Sequence, residues 1–206
     1  MKVVILNGSP RKGWNTDLLL KEAEKGAKDA GAETEYFNLY DLKYTGCKSC
    51  FACKVKGGRS NGHCVVNDDL KPVLLAVDEA DAVILGSPIY FGDITAEARA
   101  FFERLMFQVL NYEGQAFTDG KLKIGCIYTM NAPDGYMDGL FQKYAQLYGL
   151  FYQYVGTVAS CDTLQSDKYD RFYVGAQMEA AKKARREKQF PKDLQNAYEL
   201  GKIVCS

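Results

Sequence analysis

Histidine is almost missing from this chain. One residue of 206, His63, carries an imidazole. It sits in a polar, glycine-flanked loop, so no Ser–His–acid arrangement can be built around it, and it reads as a surface loop residue. Net charge is missing too, with 26 basic residues against 26 acidic ones. That balance excludes the basic excess that draws a protein to nucleic acid. The one basic run, Lys182-Lys183-Ala184-Arg185-Arg186, is flanked by Glu179 and Glu187 and reads as a solvated helix face. No apolar run approaches the roughly 20 residues of a membrane span. Met1-Lys2-Val3 enters a strand directly with no signal peptide before it, so no membrane partner and a cytoplasmic location are expected. No internal repeat or low-complexity segment occurs. No pair of carboxylates is placed for acid–base work, because Asp68-Asp69 reads as the start of a helix.

What is present suits one α/β domain spanning residues 1–206. Hydrophobic residues make up 47% and charged residues 25%, ordinary values for a globular chain. The leading stretch runs Val3-Val4-Ile5-Leu6-Asn7-Gly8-Ser9-Pro10-Arg11-Lys12-Gly13-Trp14-Asn15-Thr16. Its first half is a short β-branched run, the pattern of a strand buried on both faces. A Gly/Ser/Pro turn follows, then Asn15-Thr16, which can cap a helix. Strand, polar loop and helix together present free N–H groups to a phosphate. Two better-known phosphate loops are excluded. A Walker loop needs Lys-Ser/Thr after its second glycine, and here Trp14-Asn15 follow Gly13. A dinucleotide fingerprint needs a second glycine where Pro10 stands.

Helical spacing of Leu19, Ala23, Ala27 and Ala30 predicts a helix from Thr16 to Ala30, closed by Gly31. Thr34 to Leu39 reads as a second strand. A long irregular insertion follows at about 40–67, holding Gly57-Gly58 and the turn signal Asn61-Gly62; loops of that length are usually functional. A helix then begins near Asp68-Asp69, with Pro72 in its first turn. Ala82 to Gly86 is a third apolar strand, running into the loop Ser87-Pro88-Ile89-Tyr90-Phe91-Gly92. Thr95 to Leu110 is amphipathic and helical. Leu122 to Met130 is a fourth strand, ending in a third loop from Thr129 to Gly135. Met137 to Leu150 is helical, and Tyr154 to Ala159 is a short fifth strand. A helical C-terminal extension at about 175–206 comprises a charged helix to Lys188, Pro191, and a last helix from Lys192 to Val204. Five strands alternating with helices imply a doubly wound five-stranded parallel sheet with helices on both faces. In the order 2-1-3-4-5, the loops at Gly8 and Ser87 flank one crevice at the carboxyl edge, where such sheets bind ligands.

Four of the seven cysteines crowd into residues 47–64. Two residues separate Cys47 from Cys50 and Cys50 from Cys53, and ten separate Cys53 from Cys64. The first three match a ferredoxin-like run able to hold three corners of a [4Fe–4S] cluster. Four thiolates, with His63 as a further ligand, also suit zinc. Free thiols shaping a loop are the third reading, and all three stay open. Cys126 sits in a strand-like run and reads as a small core residue.

Gly8-Ser9-Pro10-Arg11 with Asn15-Thr16, together with Ser87-Pro88-Ile89-Tyr90-Phe91-Gly92, resembles the flavodoxin-like NAD(P)H-dependent FMN reductases. Cys47-Lys48-Ser49-Cys50-Phe51-Ala52-Cys53 with Cys64 and Asp68-Asp69 resembles their iron–sulfur flavoprotein branch, whose last cysteine gap is usually shorter. The resemblance covers about the first 130 residues. It implies FMN, with its phosphate among Ser9, Arg11, Asn15 and Thr16. The ring is then expected against Ser87, Pro88, Ile89, Tyr90, Phe91 and Gly92, with the third loop closing over it. It implies NAD(P)H as reductant and a small quinone-like molecule or a redox protein as electron acceptor. No catalytic side chain is required, because the flavin carries the chemistry. It further implies a homo-oligomer, which 14 Tyr and 11 Phe would help to build. The rival expectations are a flavodoxin-type electron carrier with no substrate of its own, and a zinc or thiol binding module. Flavodoxin-type carriers are typically strongly acidic, which this neutral chain is not.

Overall fold

The computed structural model describes residues 1–58, 60 and 62–206. Of the expected Asn61-Gly62 turn, Asn61 lies outside the described residues. The elements in chain order are β1 (Lys2–Asn7), α1 (Asn15–Asp29), β2 (Glu33–Asn38), α2 (Leu70–Asp78), β3 (Ala82–Tyr90), β4 (Asp93–Ile94) and α3 (Ala96–Val109). They continue with β5 (Lys123–Met130), α4 (Asp138–Gly149), β6 (Gln153–Cys161), α5 (Glu179–Lys188) and α6 (Phe190–Ile203).

Five strands form a parallel path in the order β2-β1-β3-β5-β6, and short β4 pairs antiparallel with the end of β3. This is the expected order once β4 is counted. Alternation along the buried strands splits the core in two. Val4 and Leu6 of β1 and Val83 and Leu85 of β3 pack under α2, α3 and α4. Val3 and Ile5 with Ala82 and Ile84 pack under α1 and α6. Fourteen-residue α6 crosses α1 closely enough that a Cβ on Gly26 would lie 2.0 Å from the Tyr198 carbonyl oxygen, and one on Gly201 1.9 Å from that of Ala23. The C-terminal extension is thus welded to the helix that follows the first loop.

Two strands run further than sequence periodicity suggests. β3 continues through Ser87 and Pro88, which pair with Tyr128 and Thr129 of β5. β6 is nine residues long and reaches Cys161. Pro88 donates no hydrogen bond, but the parallel ladder tolerates it at the strand end. Pro191 lies inside the first turn of α6 rather than before it, where its missing N–H costs nothing. No helix among the described residues is long and apolar enough to cross a membrane.

Candidate functional site

The carboxyl edge of the sheet holds a cavity of about 580 Å³ between β1, β3 and β5, within the usual size range for ligand pockets. Ser9, Arg11, Trp14, Asn15 and Thr16 form one wall, Pro88, Ile89 and Tyr90 a second, and Thr129, Met130 and Asn131 a third. A fourth wall, Thr163-Leu164-Gln165 after β6, has no counterpart in the sequence reading.

The first wall is shaped from beneath by one carboxylate. Asp17 is 2% exposed. One oxygen accepts from the Gly13 N–H at 2.7 Å and from Lys21 at 2.8 Å; the other accepts from the Tyr36 hydroxyl at 2.6 Å and the Asn7 amide at 3.2 Å. Burial works to raise the Asp17 pKa, but the bonds from Lys21, Tyr36 and Gly13 outweigh it and hold it below the usual carboxylate value. Gly13 takes a φ of +74°, which glycine adopts without strain. Gly8 locks the loop to its neighbours. Its N–H donates to the Gly86 carbonyl at 2.8 Å, and its carbonyl accepts from the Thr95 hydroxyl at 2.7 Å. Thr95 also caps α3 by accepting from the Ala98 N–H.

The N-terminus of α1 has no side-chain cap. Among the described residues, the N–H groups of Asn15, Thr16 and Asp17 have no hydrogen-bond partner, while that of Leu18 begins the helical ladder. Beside them Arg11 lies 3.7 Å over the Trp14 ring and donates to the Gln165 carbonyl at 2.8 Å, leaving further guanidinium donors for an anion. In the fourth wall the Thr163 hydroxyl is buried without a partner among the described residues. Free donors around a cavity with one apolar wall, Pro88, Ile89 and Tyr90, fit a phosphate-bearing, flat ligand.

The expected phosphate residues are brought together, but two contribute differently from the expectation. The Asn15 amide donates to the Leu164 carbonyl at 3.0 Å and accepts from Arg186. The Thr16 hydroxyl is bonded to that of Thr129 at 2.8 Å. Both side chains are committed within the protein, so Asn15 and Thr16 offer the cavity their N–H groups. In the second loop, Pro88, Ile89 and Tyr90 line the cavity, but three expected residues do not. Ser87 is fully buried, donating to the Pro88 carbonyl and accepting from the Thr95 N–H. Phe91 and Gly92 form the two-residue turn between β3 and β4, with φ of +50° and +86°. Positive φ at both positions is what a tight hairpin requires, and it throws the Phe91 side chain fully into solvent.

The C-terminal extension buttresses this edge. Lys182 is 3% exposed and bonded to Asn131 and Asp162. Arg185 donates to the Cys161 carbonyl at 2.6 Å and to both Asp134 oxygens at 2.7 and 2.8 Å. Arg186 lies 3.5 Å over the Phe190 ring. The basic run is therefore a clamp on the third loop and on Asn15, which corrects its reading as a solvated face.

The second feature is the cysteine loop. Cys47, Cys50, Cys53 and Cys64 line one cavity of about 340 Å³, with Arg104, Phe107 and Gln108 of α3 behind them. Ser49 and Phe51, interspersed with the cysteines, take φ of +50° and +57°, a conformation uncommon for non-glycine residues. The Ser49 N–H donates to the Cys47 sulfur at 3.4 Å. Cys64 is fixed by its N–H to Gln108 Oε1 at 3.1 Å, and Gln108 donates to Asp78. His63 turns away and meets Asp78 at 2.7 Å, so it is not part of the thiol wall. Among the described residues no three potential ligands converge at metal-binding geometry. Burial raises the Cys53 pKa against the pull of Lys54, and burial lowers that of Lys54 against the pull of Cys53. Lys54 donates to the Phe107 and Gln108 carbonyls at the end of α3. Cys126 and Cys161 are remote core thiols, each pushed up by burial to about 12.

The family model described as NADPH-dependent FMN reductase matches residues 1–151. An iron-sulfur flavoprotein of Methanocaldococcus jannaschii is 37% identical over 130 residues, which is 61% of this chain and 65% of that protein. The chain matches about half to two thirds of the length of the curated relatives. Among solved structures, an NAD(P)H:quinone oxidoreductase from Methanothermobacter marburgensis is similar at a TM-score of 0.71 and 16% identity, with 98% of both chains covered. An azoreductase from Bacillus anthracis is similar at 0.65 and 17%, again with 98% of both chains covered. At such identity these likenesses speak for the fold alone.

Proposed function

The chain belongs to the NADPH-dependent FMN reductase family, and from that premise we propose that it is an FMN-dependent oxidoreductase drawing electrons from NAD(P)H. The observation that carries the reading is the uncapped start of α1, with three unpartnered N–H groups beside Arg11. The flavin supplies the redox chemistry when bound, taking two electrons from NAD(P)H and passing them to a small quinone-like acceptor or onward to a protein. The side chains bind and orient. Ser9, Arg11 and the N–H groups of Asn15 and Thr16 hold the phosphate. Pro88, Ile89 and Tyr90 give the ring an apolar wall, and Thr129 to Asn131 face it. The unpartnered Thr163 hydroxyl is a donor for a polar group of the ligand.

The four-cysteine cavity is read as a [4Fe–4S] site that relays single electrons. The donor set suits it, and so do the shared cavity of the four cysteines and the name of the Methanocaldococcus relative. A second copy of the chain is read as packing near the flavin mouth, because Tyr90, Phe91, Tyr136 and Tyr173 are exposed there or on neighbouring loops. The test is titration with FMN, followed by quenching of flavin fluorescence, and then turnover of NADPH or NADH with benzoquinone. Stoichiometric binding and benzoquinone-dependent NAD(P)H oxidation support the reading. Binding without turnover favours a carrier, and failure to bind FMN overturns it.

A further inference from the structure

Arg104 is among the largest fully buried side chains, at 2% exposure. Its guanidinium is not held in the usual fork. One nitrogen, Nη1, donates to both Asp68 oxygens at 2.8 and 2.6 Å, and Nη2 reaches the Val66 carbonyl at 3.3 Å. Nε is buried with no partner among the described residues. Arg104 lines the cavity of the four cysteines. A structural arginine would satisfy its donors, since leaving a buried N–H without a partner is costly, and more so when the group is charged. The other cations at this cavity differ. Lys54 acts on Cys53 but spends its donors on the carbonyls at the end of α3, and Lys48 is exposed and screened by water.

We propose that Arg104 is a positioning residue for the cysteine site: a cation fixed by Asp68 at its wall, which favours the reduced state of the group held there. The inference rests on the reading of Cys47, Cys50, Cys53 and Cys64 as ligands of an iron–sulfur cluster. Four thiolates around such a core carry net negative charge, and each added electron makes it more negative. A desolvated cation at the wall stabilises the more negative state, whereas Asp68 opposes it.

The test is a reductive titration of anaerobically purified protein, with iron and sulfide assayed on every sample. R104M is expected to shift the reduced-to-oxidised ratio about tenfold toward oxidised at fixed potential, about 59 mV downward for one electron. D68N leaves the arginine but removes the opposing charge, and is expected to shift the midpoint upward. R104K keeps the charge and is expected to stay within a third of the R104M shift. A purely structural role predicts no opposite signs. Iron-bearing R104M and D68N that shift together, or not at all, overturn the inference. If R104M fails to fold or loses iron, the upward shift of D68N and the near-constancy of R104K decide it. Wild-type protein without stoichiometric iron and sulfide overturns instead the cluster reading beneath it.

Discussion

Asp17→Asn is the sharpest test of how the first loop is built. The Asp17 oxygen that meets Tyr36 and Asn7 can be replaced by the amide oxygen at little cost. The other oxygen accepts from the Gly13 N–H at 2.7 Å and Lys21 at 2.8 Å. An amide NH2 there confronts both donors. The stranded Gly13 N–H costs about 1–3 kcal/mol, and the remaining bonds lose charge assistance worth roughly 1 kcal/mol. Lys21, with its side chain 57% exposed, adds less than about 1 kcal/mol. The expected loss is about 2–4 kcal/mol at pH 7, a fall in Tm of roughly 5–15 °C for a chain this long. The pH dependence has a definite sign. The folded pKa of Asp17 lies below its ordinary 3.8, so its ionisation stabilises the fold above that value and the stabilisation fades as pH falls through the folded pKa. The stability gap between wild type and D17N therefore narrows in acid. Denaturant melts at pH 7 and at the lowest pH at which both remain folded measure it. A loss below about 1 kcal/mol at pH 7, or a gap that widens in acid, refutes the account of the loop.

Further predictions follow from the same geometry. Gly8→Ala places a Cβ 2.9 Å from both the Ala98 Cβ and the Gly86 carbonyl oxygen; overpacking of this kind costs about 1–3 kcal/mol, and calorimetry is expected to show a lower Tm. Arg11→Ala removes a charge-assisted phosphate contact worth about 1.5–3 kcal/mol, so FMN affinity is expected to fall roughly tenfold to a hundredfold with the melting curve little changed; unchanged affinity removes Arg11 from the phosphate site. Cys53→Ser replaces the one buried thiol of the four, and is expected to lower bound iron while leaving FMN binding intact; equal iron in variant and wild type removes Cys53 from the ligand set.

The sheet was legible because buried strands and amphipathic helices write their periods into sequence, and right-handed crossovers leave few topologies for that pattern. The first loop was legible because its glycines and polar residues cluster in one stretch. The second was only half legible. Ser87 sits on the hidden side of a strand that runs on past Gly86, and a bulky Phe91 at positive φ gives no turn signal of its own. The fourth wall at Thr163 and the Arg186 clamp on Asn15 were not legible at all. They arise from contacts across 149 and 171 positions, set by the packing of α6 on α1. Nothing in the sequence separates Arg104 from the other polar residues of α3, and only its burial beside Asp68 and the cysteines marks it out.

The most direct measurement is an anaerobic visible absorption spectrum of the protein purified and loaded with FMN, with flavin, iron and sulfide quantified on the same sample. The account predicts flavin bands at one per chain over a broad shoulder, with stoichiometric iron and sulfide. Flavin bands without iron contradict the cysteine assignment and leave a plain FMN reductase. A spectrum without flavin after incubation with FMN contradicts the central claim.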